Sequence, residues 1–325
     1  MPTMPTTALK PVLLNRLIQS RVWGGHHLEA LFGIHSPDGQ PIGETWELVD
    51  RPEAGSRLRA GGSLRDLMQM DRRGLLGRDV RPAFGDRFPL LFKFLDAQTE
   101  LSVQVHPDDR AAEAYGDGGK SEAWLVLQTL ENARIVRGFK PSVNRANFEL
   151  AAHGSEIEDL LYSFRPKVGD CIYTPAGTLH AIGPGAVIFE VQQNSDITWR
   201  IYDWGRNRTL HVEEAIRGTV VTDGSLDPTV VPKALPDGGT LLLECPFFRM
   251  RRYDLKAKFE AMTDGAFVVV TVLGGQGTLG WHSGGEDLPL RLQAGDCVLV
   301  PAAVPSIFLS PIGQLDVVLT DPGRS

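Results

Sequence analysis

The sequence predicts a mainly β protein made of two related barrels with short helical segments, and three observations carry that reading. Glycine and proline are abundant, at 35 and 22 residues, which favours many short strands and turns over long helices. Short aliphatic-rich or alternating stretches recur along the chain, as expected of strands with one or both faces buried. Finally, Gly295–Ala303 repeats the pattern of Gly169–Gly177, and Gly265–Leu273 resembles Glu122–Leu130. Two copies of one barrel explain both matches.

The elements follow in order. The first 60 residues mix turns with short strands such as Trp46–Val49. Over 63–81, Ser63 precedes an amphipathic pattern and suits a helix cap. Pro89–Leu95 is an apolar run broken only by Lys93, which reads as a buried strand. Pro107 suits the first turn of a helix over 107–118, with Asp108 and Asp109 at its positive end. A strand then starts at Glu122 and runs to Leu130. Residues 140–163 interrupt the strands with two short helices, Asn144–Ala152 and Ser155–Tyr162, the second carrying a Ser155/Glu158 capping box. Strands resume at 168–174, 186–193 and 197–203, and a helix follows at His211–Arg217. Arg249–Arg252 reads as a solvated strand edge. Gly274–Gly280 is glycine-rich but has no helix after it, so it reads as a hairpin turn rather than a nucleotide loop. The expected domains are a metal-binding one over 1–222, with helical segments near 63–81 and 140–163, a Pro/Gly/Asp-rich linker over 223–239, and a degenerate copy over 240–325.

Composition narrows the function. A net charge of -7 with no basic stripe argues against a nucleic-acid surface. Cys171, Cys245 and Cys297 are far apart and form neither a disulfide framework nor a Cys-x-x-Cys pair, which points to a reducing compartment. The N-terminus lacks a secretory pattern and no 18-residue apolar run occurs, so a cytoplasmic protein with no membrane span is expected.

The chemistry concentrates around Gln104, His106, Glu122 and His180. Gln104 and His106 lie two apart, so on a strand they share a face. Gly169–His180 reads as a buried strand, a tight Pro/Gly turn and a histidine entering the next strand. Together these donors make a metal site, and two imidazoles suit zinc, iron, nickel or manganese about equally. In the second copy Gly265 falls where Glu122 stands and Ser306 near where His180 stands, so that copy is expected to bind no metal. Lys93 is costly in an apolar strand unless its ammonium finds a partner or solvent. Ser102, two before Gln104, shares the same strand face.

Gly169, Pro175, Gly177 and His180 fit the second signature motif of the cupin barrels. With Gln104–Asp109 and Gly119–Trp124 upstream, the chain resembles the type I mannose-6-phosphate isomerases (phosphomannose isomerases) in their short bacterial form. Supporting stretches are Arg21–Gly25, Gly43–Glu47, Phe189–Asp196 and Thr198–Trp204. The resemblance spans 14–320 and is sharpest over 88–206.

The resemblance implies two cupin-type (jelly-roll) barrels and interconversion of D-mannose 6-phosphate and D-fructose 6-phosphate. It implies one Zn2+ per chain, held by Gln104, His106, Glu122 and His180, with another divalent ion as the alternative. It places Arg200, Glu190 and Lys120 at the reacting atoms, and Ser102, Lys93 and Glu44 along the substrate. The reaction needs such groups, because a cis-enediol(ate) carries negative oxygens that a metal or fixed cation must stabilise. A proton carrier must also reach the carbon, and the candidates are Glu190 and a metal-coordinated water or hydroxide. The plainer alternatives are a salt bridge from Arg200 to Asp196 or Asp203, and a Glu190 that only orients an arginine. Competing functions are a related cupin isomerase or epimerase of an unphosphorylated sugar, and a non-catalytic sugar-binding or regulatory cupin. The expected partner is a small sugar phosphate, with no nucleic acid or membrane, for a monomer or homodimer.

Overall fold

The computed structural model describes residues 9–221, 229–282 and 288–323. Among these no helix is long and apolar enough to cross a membrane. The chain opens with β1 (Val12–Asn15), β2 (Leu17–Gly25), α1 (His27–Phe32), β3 (Ile42–Leu48), β4 (Arg57–Leu58) and α2 (Leu64–Leu76). Then come β5 (Leu90–Ala97), β6 (Val103–Val105), α3 (Asp109–Glu113), β7 (Glu122–Thr129), β8 (Ile135–Phe139), α4 (Arg145–Ala151), α5 (Ile157–Leu160) and β9 (Leu161–Phe164). The middle of the chain supplies β10 (Cys171–Thr174), β11 (His180–Ile182), β12 (Ala186–Gln193), β13 (Trp199–Tyr202) and α6 (Val212–Gly218). The last stretch holds β14 (Lys233–Ala234), β15 (Thr240–Glu244), β16 (Phe248–Leu255), β17 (Phe259–Met262), β18 (Val268–Trp281), β19 (Leu290–Gln293), β20 (Cys297–Val300) and β21 (Ser306–Pro322).

Two compact units emerge, and both are discontinuous in sequence. One comprises the described residues of Met1–Arg16, Asp50–Pro82 and Pro232–Ser325, and the other those of Leu17–Val49 and Ala83–Val231. Residues 223–228 of the expected linker lie outside the described residues. In the first unit ten strands form one sheet ordered β14-β15-β16-β21-β18-β20-β1-β4, with β17 and β19 branching off it. Its core is aliphatic, centred on Val268, Val270, Val298, Leu309 and Val317. The second unit has a six-stranded sheet, β10-β7-β12-β5-β3-β2, and a five-stranded sheet, β13-β6-β11-β8-β9.

The mainly β composition agrees with the sequence, but the two expected jelly-roll barrels do not form. All three sheets are antiparallel and open: none returns to its first strand, and edges remain at β14 and β4, β10 and β2, and β13 and β9. In the first unit the two longest strands change partner along their length, so the ladder branches instead of closing. Thus β21 pairs with β17, β16 and β18 along its length, and β18 changes partner in the same way.

Two further expectations are corrected. Gly274–Gly280 is no hairpin turn but part of β18, where register shifts bracket Gly275 at φ +75°. A Cβ there would lie 2.0 Å from the Gln314 carbonyl oxygen, so glycine permits a bulge inside a continuous strand. Arg249–Arg252 is not a strand edge. It lies within β16, paired on both sides, and its charges are met by Asp321 and Asp316.

The helices are short, as expected. Ser63 caps α2 with a reciprocal capping box to Asp66, and Asp108 and Asn144 cap α3 and α4. The Ser155/Glu158 box is absent, because α5 starts at Ile157 and has no side-chain cap.

In the second unit the two sheets face each other across a core that includes Trp124, Ile172 and Ile188 from one and Ile135 and Ile182 from the other. On its far side the five-stranded sheet packs Val103, Val105 and Ile201 against Phe148, Ile157 and Ala215 of α4, α5 and α6. Strand alternation therefore sends Gln104, His180 and Arg200 to the inner face.

Candidate metal centre and substrate face

Cross-strand register assembles the site. On the five-stranded sheet Arg200 pairs with Gln104, Gln104 with His180, and His180 with Arg137, giving a single row across β13, β6, β11 and β8. On the six-stranded sheet a second row runs Ile172, Trp124, Glu190, Lys93 and Trp46. Glu122 stands at the start of β7, opposite Thr174 and Gln192.

His106, Glu122 and His180 each offer a ligand atom, all within 4.8 Å of one another, and all three side chains are buried. Their orientation fits a metal. Nδ1 of His106 lies 2.7 Å from the Ile197 carbonyl oxygen and Nδ1 of His180 lies 2.8 Å from that of Thr178. Each ring therefore donates through Nδ1 and keeps the Nε2 lone pair toward the cluster, the outer hydrogen bonding typical of ligating imidazoles. Nε2 of His180 is 3.1 Å from Glu122 Oε1, and Nε2 of His106 is 3.5 Å from Oε2. The Gln104 amide lies 3.4 Å from His180 Nε2, and its Oε1 accepts from Ser102 Oγ at 3.1 Å. Rotation of that amide by half a turn exchanges its oxygen and nitrogen, which brings Oε1 to the cluster.

The electrostatics agree with these roles. Burial, together with Lys120, holds the His106 imidazole well below its usual pKa, so it stays neutral and able to ligate. Burial opposes the charge on Glu122, but the Lys120 ammonium beside it outweighs burial and holds that carboxyl well below the usual range. Lys120 Nζ stands 2.9 Å from both His106 Nε2 and Glu122 Oε2.

Lys93 finds its partner inside the protein. Its ammonium lies 3.3 Å from Glu44 Oε2 and 3.4 Å from Glu190 Oε1, and 5.4 Å from the centre of the Trp46 ring. Glu44 also accepts from Arg21 Nε and Trp46 Nε1 at 2.8 Å each. Glu190 Oε2 accepts from Trp124 Nε1 at 3.0 Å. Burial and then the nearby Glu122 raise the Glu190 pKa against the pull of Lys93.

Arg200 makes neither of the salt bridges considered for it. Its Nη1 donates to the Thr209 carbonyl oxygen at 2.8 Å, and its buried Nε has no hydrogen-bond partner. Asp203 is taken instead by Arg206 and Arg208, at 2.9 and 2.8 Å. The sequence reading missed Arg137, Trp124 and Trp46. Arg137 had one visible signal, a charged residue in an otherwise apolar strand, Ile135–Phe139.

A carboxylate and two imidazoles between two sheets, backed by buried lysines, define a metal-dependent β-sheet enzyme. Residues 12–130 match the family described as phosphomannose isomerase type I, catalytic domain. The mannose-6-phosphate isomerase of Streptococcus mutans is 34% identical over 310 residues, covering 91% of this chain and 94% of that one. The crystal structure of the mannose 6-phosphate isomerase from Bacillus subtilis is similar with a TM-score of 0.84 at 30% identity, over 96% of this chain and 99% of that one. A mannose 6-phosphate isomerase crystallised with zinc and yttrium shares the fold, with a TM-score of 0.80 at 19% identity, over 97% of this chain and 100% of that one. The chain belongs to the type I mannose-6-phosphate isomerase family.

Proposed function

We propose that the protein interconverts D-mannose 6-phosphate and D-fructose 6-phosphate by moving hydrogen between C2 and C1, with zinc as its metal. The observation that carries this reading is the convergence of His106, Glu122 and His180 in a chain of this family. Two imidazoles and a carboxylate fit zinc, and Gln104 completes the set through Oε1. A bound divalent cation supplies Lewis-acid polarisation of the sugar's carbonyl and hydroxyl oxygens.

The remaining work falls to the chain's own side chains. Glu190, with its pKa raised by burial, takes the C2 proton at Oε1 and returns it to C1, while the hydroxyl proton passes from O2 to O1. Arg200 faces the oxygens on which enediolate charge develops and steadies it with a fixed cation. Lys120 donates a hydrogen bond to a reacting oxygen. Lys93 and Glu44 hold Glu190 in position, and Ser102 orients the Gln104 amide. The buried inner face keeps bulk water from the intermediate.

The direct test is turnover of mannose 6-phosphate against free mannose by protein of known metal content. Preference for the phosphorylated sugar, with about one zinc per chain as a single donor cluster requires, is the expected result. Faster turnover of free mannose, or full activity without stoichiometric metal, would sink the reading. Arg200→Lys separates fork from charge: turnover should fall at least about tenfold, roughly 1.4 kcal/mol, with zinc retained.

A further inference from the structure

We infer that Arg137 binds the phosphate of the substrate, an assignment that rests on the isomerase reading of the same site. The first argument is charge. Lys93 and Lys120, the lysines nearest the donors, are already engaged: Lys93 lies between Glu44 and Glu190, and Lys120 lies on Glu122 and His106. Two ammonium groups thus face three carboxylates, with Arg21 sharing Glu44. Lys93 cannot turn to a dianion without leaving Glu190 unpaired, which is costly, and Lys120 stands at the donor cluster itself, on the side of the reacting oxygens.

The second argument is position. Arg137 is in direct register with His180, on the other side of it from Gln104. Ile135, two residues earlier on the same face, packs into the core between the sheets, so alternation sends Arg137 to the inner face as well. Register in β8 shifts between Val136 and Phe139, and Gly138 takes φ +72°. Such a bulge re-aims the side chain beside it, a common device next to active sites. His180 is 1% exposed, whereas Arg137, Gln104 and Arg200 are half-buried. These three are the members of the row that a ligand arriving from water can touch.

The third argument is capacity. Arg137 Nε donates to the Tyr173 carbonyl oxygen at 2.8 Å, which anchors the guanidinium plane. Among the described residues its two terminal nitrogens make no hydrogen bond or ion pair, so they remain for a ligand. A guanidinium offering two parallel N–H groups matches phosphate geometry. Arg137 and Arg200 stand three strands apart, roughly 14 Å at about 4.8 Å per strand. The donor cluster lies between them, so a six-carbon chain reacting near Gln104 and Arg200 carries its phosphate toward Arg137.

The test compares zinc-loaded wild type with Arg137→Met and Arg137→Lys. Three readouts are taken: KM and kcat for mannose 6-phosphate, the inhibition constant of inorganic phosphate, and metal content. Arg137→Met should raise KM and the phosphate inhibition constant by about tenfold or more, with a smaller effect on kcat and zinc retained, and Arg137→Lys should recover part of both. Unchanged values, or a defect confined to kcat or metal content, would overturn the assignment and leave Arg137 as a brace for Tyr173. Arg137→Lys guards against misfolding of the methionine variant. If wild type fails to isomerise mannose 6-phosphate, the isomerase reading falls on its own. Calorimetric binding of inorganic phosphate to wild type and variant then still decides whether Arg137 holds the anion.

Discussion

Lys93 sits where a lysine costs most, 5% exposed in a strand of apolar neighbours. Burial alone would push its pKa down, but Glu44 and Glu190 outweigh burial and raise it. The same pairing works in reverse on Glu44. Burial opposes its charge, yet Lys93 and Arg21 bring its pKa down to about 2 from an ordinary 4.5. The unfolded chain therefore binds a proton at Glu44 at higher pH than the native protein does. The resulting stability is complete above pH 4.5 and is lost as pH falls toward 2. A shift of 4.5 − 2 = 2.5 units corresponds to about 3 kcal/mol. Lys93→Ala removes the cation from between two buried carboxylates, so stability at neutral pH should fall by about 3–5 kcal/mol. The Glu44 share of the acid limb between pH 4.5 and 2 should shrink at the same time. Urea unfolding over a pH series reads both effects. A Lys93→Ala protein as stable as wild type, with a raised KM for the phosphorylated sugar, would instead place Lys93 on the phosphate.

The turn between β10 and β11 carries His180 into place, and its chemistry is local. Gly177 takes φ +83°, its N–H donates to the His106 carbonyl oxygen at 2.8 Å, and a Cβ there would lie 2.8 Å from Val220 Cγ2. Gly177→Ala should cost about 1–2 kcal/mol for the left-handed backbone, with the Val220 clash in addition. Metal affinity should weaken by about tenfold as the support of both imidazoles shifts. Calorimetric zinc titration and thermal melting measure the two, and unchanged values would mean the turn does not set the ligands. Such local devices explain what the sequence made legible. The Gly/Pro turn, the Ser63 cap and the apolar-rich strand Ala186–Gln193 each announce themselves within a few residues. Arg137 did not, because its neighbours in the row, His180, Gln104 and Arg200, come from three other strands, and only pairing reveals the face they share. Barrel closure was illegible for the same reason. Whether the ends of a sheet meet depends on where β18 and β21 bend and change partner, which no local period encodes.

At the scale of the whole molecule, one repeated sequence pattern carries chemistry in one unit and none of the same donors in the other. His106, Glu122 and His180 belong to the unit built from Leu17–Val49 and Ala83–Val231. In the other unit, Cys297–Val300 repeats Cys171–Thr174, while Gly265 falls where Glu122 stands in the pattern and Ser306 near where His180 stands. Metal that binds only the folded site stabilises that fold by mass action, by about 2.7 kcal/mol at a hundredfold excess over Kd. The gain belongs to openings that break the site, so it should appear as slowed hydrogen exchange in the strands that hold the ligands. Adding zinc to chelator-treated protein should therefore slow exchange of backbone amides in β6, β7 and β11. Amides in β16, β18 and β21 should keep their rates. His180→Ala should abolish the difference, because the remaining donors no longer close the coordination. Protection rising equally in β18 and β21, or persisting in His180→Ala, would place the metal's effect somewhere other than this cluster.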